Sequence, residues 1–137
     1  MANQIPLVAG GDIRPARFIK LSGAADYTAL ESDANERVFG ISIDAAQDAP
    51  IPSADADAAD DGDQFRYFSI GDECLLELGG TVAAADLLKS DADGKGVVIA
   101  TTGTTIQNIG ARAIEAGVSG EKIRVQVTIY SERPALT

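Results

Sequence analysis

An internal repeat constrains this chain more than any other feature. Residues 8–20 read VAGGDIRPARFIK and residues 77–89 read ELGGTVAAADLLK, a match at a constant offset of 69. Gly10-Gly11 falls on Gly79-Gly80, Ile13 on Val82, Ala16 on Ala85, Phe18-Ile19 on Leu87-Leu88 and Lys20 on Lys89. The match resumes where Phe39-Gly40-Ile41-Ser42-Ile43 meets its counterpart Ile109-Gly110-Ala111-Arg112-Ala113. A Gly-acid segment follows each copy: Gly71-Asp72-Glu73-Cys74-Leu75-Leu76, then Gly120-Glu121-Lys122-Ile123-Arg124-Val125. Two copies of one unit, about 8–43 and 77–113, are expected to lie in a single domain over 1–137, since domains cluster near ~100–150 residues.

The repeated unit reads as β. Ile123, Val125, Val127 and Ile129 share one face of a segment whose other face carries Lys122, Arg124, Gln126 and Thr128, the period-two pattern of a half-buried strand. Cys74, Leu76 and Leu78 alternate with Glu73 and Glu77, and Phe39, Ile41 and Ile43 with Gly40 and Ser42. Gly71-Asp72, Gly79-Gly80, Asp93-Gly94 and Ser119-Gly120 supply closely spaced turns. The expected fold is all-β, sandwich-like or barrel-like, with a Gly-Gly turn, a bend, a strand opened by Phe18 or Leu87, a hairpin, and a strand in which Gly40 or Gly110 permits close backbone approach or a bulge. Two units with one apolar face each can bury those faces against one another. Only Ala111 to Ala116 and Ala24 to Ala34 invite a helical reading, so at most one short helix is expected.

Charge divides the chain unevenly. Of 21 acids and 11 bases, giving −10, the stretch from Asp44 to Asp63 holds seven Asp and no Lys or Arg, hence −7. This acidic insertion at 44–63 also carries Pro50 and Pro52 and reads as a solvated loop between the copies. A groove tracking phosphates needs surplus Lys and Arg, so neither nucleic acid nor an anionic membrane is an expected partner. The N-terminus lacks the basic and apolar regions of a signal peptide, and no apolar run approaches the ~18 residues of a membrane span.

Chemistry-bearing motifs fare poorly. The chain has no His, which removes the commonest general base and the usual catalytic zinc ligand. Asp55, Asp57, Asp60, Asp61 and Asp63 suggest calcium, yet an EF-hand frame starting at Asp57 puts Phe68 where the twelfth-position acid belongs. Asp72, Glu73 and Glu77 offer a carboxylate pair without an aromatic sugar platform. Lys89 suggests the modified lysine of biotinyl and lipoyl carriers, but its repeat mate Lys20 favours a structural residue in both copies. Cys74, alone and on an apolar strand face, reads as a buried thiol. No catalytic residue, metal site or cofactor is expected.

Taken in order, these motifs resemble the small capsid decoration, or cement, proteins of tailed bacteriophages. The residues carrying the likeness are Gly10-Gly11-Asp12-Ile13, Phe18-Ile19-Lys20-Leu21, Phe39-Gly40-Ile41-Ser42, Gly71-Asp72, Gly79-Gly80-Thr81-Val82, Ala85-Asp86-Leu87-Leu88-Lys89-Ser90-Asp91-Ala92-Asp93-Gly94 and Ile109-Gly110-Ala111-Arg112-Ala113. The insertion at 44–63 looks longer than usual for that group. The resemblance implies a non-enzymatic structural virion protein, made in the bacterial host cytoplasm. It would bind the outer capsid surface as a homotrimer and stabilise the head by bridging subunits of the major capsid protein. Candidate capsid or subunit contacts are the terminal Ile5, Pro6 and Leu7 and the turn residues Arg14, Pro15 and Arg17, whose basic character suits an acidic patch. The rival expectation is a small-molecule or carbohydrate binding module on a clip-like β fold, with a concave pocket of convergent polar groups.

Overall fold

Each copy of the repeat closes on itself. A computed structural model describes residues 7–44, 59 and 61–132. The first copy contributes β1 (Leu7–Ala9), β2 (Phe18–Leu21), β3 (Thr28–Glu31), β4 (Gly40–Ser42), β5 (Gln64–Phe65) and β6 (Tyr67–Phe68). The second contributes β7 (Glu73–Glu77), β8 (Leu87–Ser90), β9 (Gly96–Val98), β10 (Gln107–Ala113) and β11 (Lys122–Glu132). The first sheet runs β5-β1-β3-β2-β4-β6, and only Arg66 separates β5 from β6, so the order returns nearly to its start. The second runs β7-β11-β10-β8-β9, and a parallel bridge between Leu78 and Gly96 brings β9 back beside the end of β7.

Both rings have the same cyclic order. β1 pairs β3 in parallel as the end of β7 meets β9, β2 and β3 form a hairpin as β8 and β9 do, and β4 joins β2 as β10 joins β8. The long β11 spans both β7 and β10, work that the broken β5–β6 pair divides between β1 and β4. Closure removes the exposed strand edges that invite aggregation. The all-β expectation holds in its barrel-like form, and the described residues contain no helix. Ala111 and Ala113 are buried on either side of exposed Arg112 in β10, a period of two, while the Ala24 to Ala34 region is a turn, the whole of β3 and the start of the next turn.

The segment closing the first barrel is Gly62-Asp63-Gln64-Phe65, not Gly71-Asp72. Gly62 N donates to Ala9 O as Gly120 N donates to Leu78 O, and Ile43 N to Arg66 O as Ile114 N to Arg124 O. Gly71-Asp72 instead leads into β7, the counterpart of β1. Two-residue strands carry no readable alternation, which is why spacing alone points to the wrong glycine.

Two apolar clusters fill the rings. Leu7, Ala9, Ile13, Ile19, Ala29, Ala59 and Tyr67 form the first. Cys74, Leu76, Leu78, Val82, Leu88, Ile123, Val125 and Val127 belong to the second, which also takes in Phe18, Val38 and Ile41 from the first copy. The apolar faces are therefore not pressed together as in a sandwich. Each is enclosed by its own strands, and the barrels meet at a smaller joint centred on Phe18. On β2, Ile19 points into its own barrel and Phe18 into the neighbouring one, so both are fully buried.

The repeat extends to backbone strain. Ala16 and Ala85, one offset of 69 apart, both take left-handed conformations at φ 55° and 72°, each disfavoured by ~1–2 kcal/mol for a side chain with a Cβ. Beyond the hairpins the offset drifts. Leu21 pairs with Ala29 while Ser90 pairs with Gly96, so the returning strands stand 67 apart. Downstream, Ile13 bridges Ala59 as Val82 bridges Gly117, an offset of 58 between the bridge partners.

Candidate functional site

The expected contact residues scatter on folding. Ile5 and Pro6 lie outside the described residues, as does most of the acidic insertion. Leu7 is buried in the first cluster, only 2 % exposed. Arg14 is partly exposed at the rim of the joint, where its Nη2 lies 2.8 Å from Glu31 Oε1 and 3.8 Å from Asp93 Oδ1. Pro15 beside it is half-buried. Arg17 is enclosed within the joint: Nη1 donates to Asp93 O at 2.9 Å and Nη2 reaches Glu77 Oε2 at 3.2 Å. The side chains of Leu7 and Arg17 thus face inward, and the positive charge of the turn is matched by Glu31, Glu77 and Asp93 of the same chain.

The joint explains these placements. Phe18 N donates to Gly94 O at 2.7 Å, and Glu77 N donates to Ala16 O at 2.9 Å. The Phe18 ring lies over Gly110, where a Cβ would stand 2.6 Å from Cε1. Only glycine allows that approach, and β10 shifts register at the same point, between Ile109 and Ala111. In the first copy, where Ile19 pairs with Gly40 as Leu88 pairs with Ala111, the same station is held by Phe39, while Gly40 admits the carbonyl of Phe68. Asn35 completes the seam, donating from Nδ2 to Ile106 O at 2.8 Å and accepting from Asn108 N at 2.9 Å.

The chemistry-bearing candidates resolve as structural. Burial, with a smaller contribution from the Asp72 charge, pushes the Cys74 thiol up to about 12, so it stays protonated and inert at neutral pH. Lys89 Nζ donates to Gln107 Oε1 at 2.7 Å, and its mate Lys20 to Glu36 Oε1 at 2.6 Å. Each lysine ties its hairpin to the segment entering β4 or β10. The hydrogen bond from Lys20, assisted by the Asp33 backbone, holds the Glu36 carboxyl below the usual carboxylate range. No group of three or more Asp, Glu or Cys among the described residues is placed to hold a metal ion.

Surface depressions among the described residues offer a further kind of site. One, of about 370 Å³, opens at the mouth of the first barrel and is lined by Leu7, Leu21, Asp26, Tyr27 and Phe39. Tyr27 is 65 % exposed and Leu21 49 %, and Tyr27 holds a left-handed φ of 53°. The other, of about 280 Å³, lies along the seam between Arg37, Val38, Asn108 and Tyr130. The first carries two polar side chains, Asp26 and Tyr27, whereas the second gathers Arg37, Asn108, Tyr130 and Ser131, with Ser131 Oγ donating to Asn108 Oδ1 at 2.6 Å. Sequence reasoning missed the first groove because its residues come from four separate segments. The one signal available was a tyrosine at a hairpin tip.

These features define a class: an all-β chain of two equivalent small barrels joined in tandem, with an open groove at one mouth and no recognisable catalytic constellation among the described residues. No family model and no curated protein matches the sequence. Among solved structures the chain is similar to the N base of the head fiber gp8.5 of bacteriophage phi29, with a TM-score of 0.54 and 18% identity over 90% of this chain and 92% of that one. At that identity the likeness is one of fold.

Proposed function

We propose that this chain is a structural protein of a bacteriophage virion that binds the outer surface of the capsid, bridges subunits of the major capsid protein and so stabilises the head. One observation carries the reading: nine tenths of the chain share the fold of the base of a phage head fiber. The order of the glycine-rich motifs supports the same reading independently, because it resembles that of capsid cement proteins. In this reading the two barrels act as one body, the working unit is a homotrimer, and the protein has no enzymatic activity. It reaches the outer capsid surface after synthesis in the host cytoplasm. Ile5 and Pro6, just ahead of the first barrel, and the part-exposed Arg14 and Pro15 are the residues proposed to meet the capsid or a neighbouring subunit.

Tightly bonded barrels suit a clamp, since a rigid body loses little entropy on binding. The test is co-sedimentation of the purified protein with expanded heads of the phage that encodes it, together with light scattering on the free protein. Saturable binding to heads is the expected result. A protein that leaves heads undecorated at micromolar concentration contradicts the reading.

A further inference from the structure

The groove along the seam forms where equivalent segments of the two copies meet. Because Ile19 pairs with Gly40 as Leu88 pairs with Ala111, Val38 stands where Ile109 does and Arg37 where Asn108 does. Both pairs line the same depression, together with Ile129, Tyr130 and Ser131 of β11. Buried Val38 and Ile109 and partly buried Ile129 make it apolar on one side. Joints between units of this kind are where ligand sites preferentially form.

Its polar groups are of two kinds. Asn108 is held at both ends: its backbone N and Nδ2 donate to Asn35 Oδ1 and Asn35 O at 2.9 and 2.8 Å, and its Oδ1 accepts from Ser131 Oγ at 2.6 Å. The amide is thus oriented before any ligand arrives, with its second Nδ2 hydrogen left over, and a group ordered in advance loses little entropy on binding. Arg37 and Tyr130 are exposed, and neither side chain has a hydrogen-bond or ion-pair partner among the described residues. The acid beside Arg37 in the sequence, Glu36, is already taken by Lys20 at 2.6 Å.

These groups select a ligand by charge and by shape. The described lining residues carry one positive charge and no negative one, in a chain of 21 acids and 11 bases. An unpaired guanidinium takes a carboxylate through two parallel N–H···O bonds. The Asn108 amide and the hydroxyls of Tyr130 and Ser131 match ligand hydroxyl groups, and Val38, Ile109 and Ile129 match the C–H face of a ring. A volume of about 280 Å³ lies at the small end for ligand sites, which suits one ring and not an extended chain. We infer that the seam groove binds a sugar acid, one uronic-acid ring whose carboxylate pairs with Arg37 while its apolar face lies on Val38, Ile109 and Ile129. This site goes beyond the capsid role and does not rest on it.

Proton–nitrogen correlation spectra of the full-length chain, titrated with D-glucuronate, read the site directly. D-glucose and acetate serve as separate arms, since the first lacks the carboxylate and the second lacks the ring. Glucuronate is expected to give saturating shifts confined to the amides of residues 35–38, 108–109 and 129–131. Glucose and acetate are expected to bind at least about tenfold more weakly, because each offers only one of the two recognised parts. Arg37→Gln is expected to weaken glucuronate binding at least about tenfold and to leave the thermal melt unchanged, because the replaced side chain is exposed and unpartnered. Glucuronate that leaves the spectrum unchanged at millimolar concentration overturns the proposal, as do shifts outside the groove or undiminished binding by Arg37→Gln. Equal affinity for glucose overturns it by removing the charge from recognition, and equal affinity for acetate by removing the ring. Head binding is scored separately by sedimentation, so the capsid reading stands or falls on its own result.

Discussion

The first and second barrels share a strand order and differ in what surrounds them. In the second, the mouth is plugged by a phenylalanine, the hairpin tip is a glycine, and the strand closing the ring is an uninterrupted β11. In the first, Phe39 holds the plug's station, a groove stays open at the mouth, the tip is a tyrosine, the closing strand is broken into β5 and β6, and a long acidic insertion precedes it. Charge follows the same division: residues 1–72 hold 13 acids and 5 bases, for −8, and residues 73–137 hold 8 and 6, for −2. Two copies of one architecture thus separate into a regular barrel and an irregular one. Departures from the locally favoured residue concentrate in the first, which marks it as the barrel shaped by something other than its own stability.

Removing the Phe18 plug should separate the two barrels' behaviour most. Phe18→Ala is expected to destabilise the whole chain by about 3–5 kcal/mol, as loss of a buried phenylalanine does, whereas Leu87→Ala, at the equivalent but only half-buried position, is expected to cost less, about 1 kcal/mol. Urea denaturation measures both. Equal effects would show that the joint is not the asymmetric contact described here.

Exchanging the hairpin tips is the next test. Gly94→Ala is expected to lose about 1–3 kcal/mol from its left-handed backbone, with added crowding because the new Cβ would stand 3.1 Å from Phe18 O. Tyr27→Gly is expected to be neutral or to gain up to about 1 kcal/mol, from relief of the same strain. Thermal unfolding of the two variants should therefore move in different directions.

A third change targets the insertion. Between Ile43 and the bridged Ala59 the first copy holds 15 residues, and between the equivalent Ile114 and Gly117 the second holds two, a net excess of 13. Replacing 44–58 by Glu-Ala, the order at 115–116, should leave a folded chain with a loop-closure gain of roughly 1.8 kcal/mol. That gain is partly offset by loss of the exposed Lys122–Asp44 pair. An unfolded product would show that the insertion is part of the first barrel's closure.

The smallest expected effect concerns the hairpin lysines. Glu36→Gln removes an exposed pair with Lys20, a change of ~0.2–1 kcal/mol, while Lys89 keeps its neutral partner Gln107. The folded-state value of Glu36 is depressed, so its contribution is present above the ordinary carboxylate range and is lost as pH falls through the lower folded value. A titration of stability should show a slightly smaller acid-side loss in Glu36→Gln than in wild type.

Much of this was legible in the sequence, and for a physical reason. Gly10-Gly11, Ile13, Ala16 and Lys20 recur because each holds a position fixed by backbone geometry or by the barrel interior, and such positions tolerate few residues. The helical readings failed where alanine, a good helix former, occupies alternating buried stations in β10. Closure of each copy into its own barrel was hidden, because it depends on pairings between distant segments and on two-residue strands. The equivalence of Tyr27 and Gly94 was masked by the two-residue difference between hairpins. Arg17 looked like a surface cation because sequence alone does not reveal that Glu77 and Asp93 lie against it.

The proposed role of this tandem pair of barrels is to decorate a phage head. Electron cryomicroscopy of expanded heads, with and without added protein, tests it most directly. The expected result is extra density on the outer surface, seated where neighbouring capsid subunits meet and large enough for paired barrels. Heads that show no added density, or density only inside the shell, would contradict it.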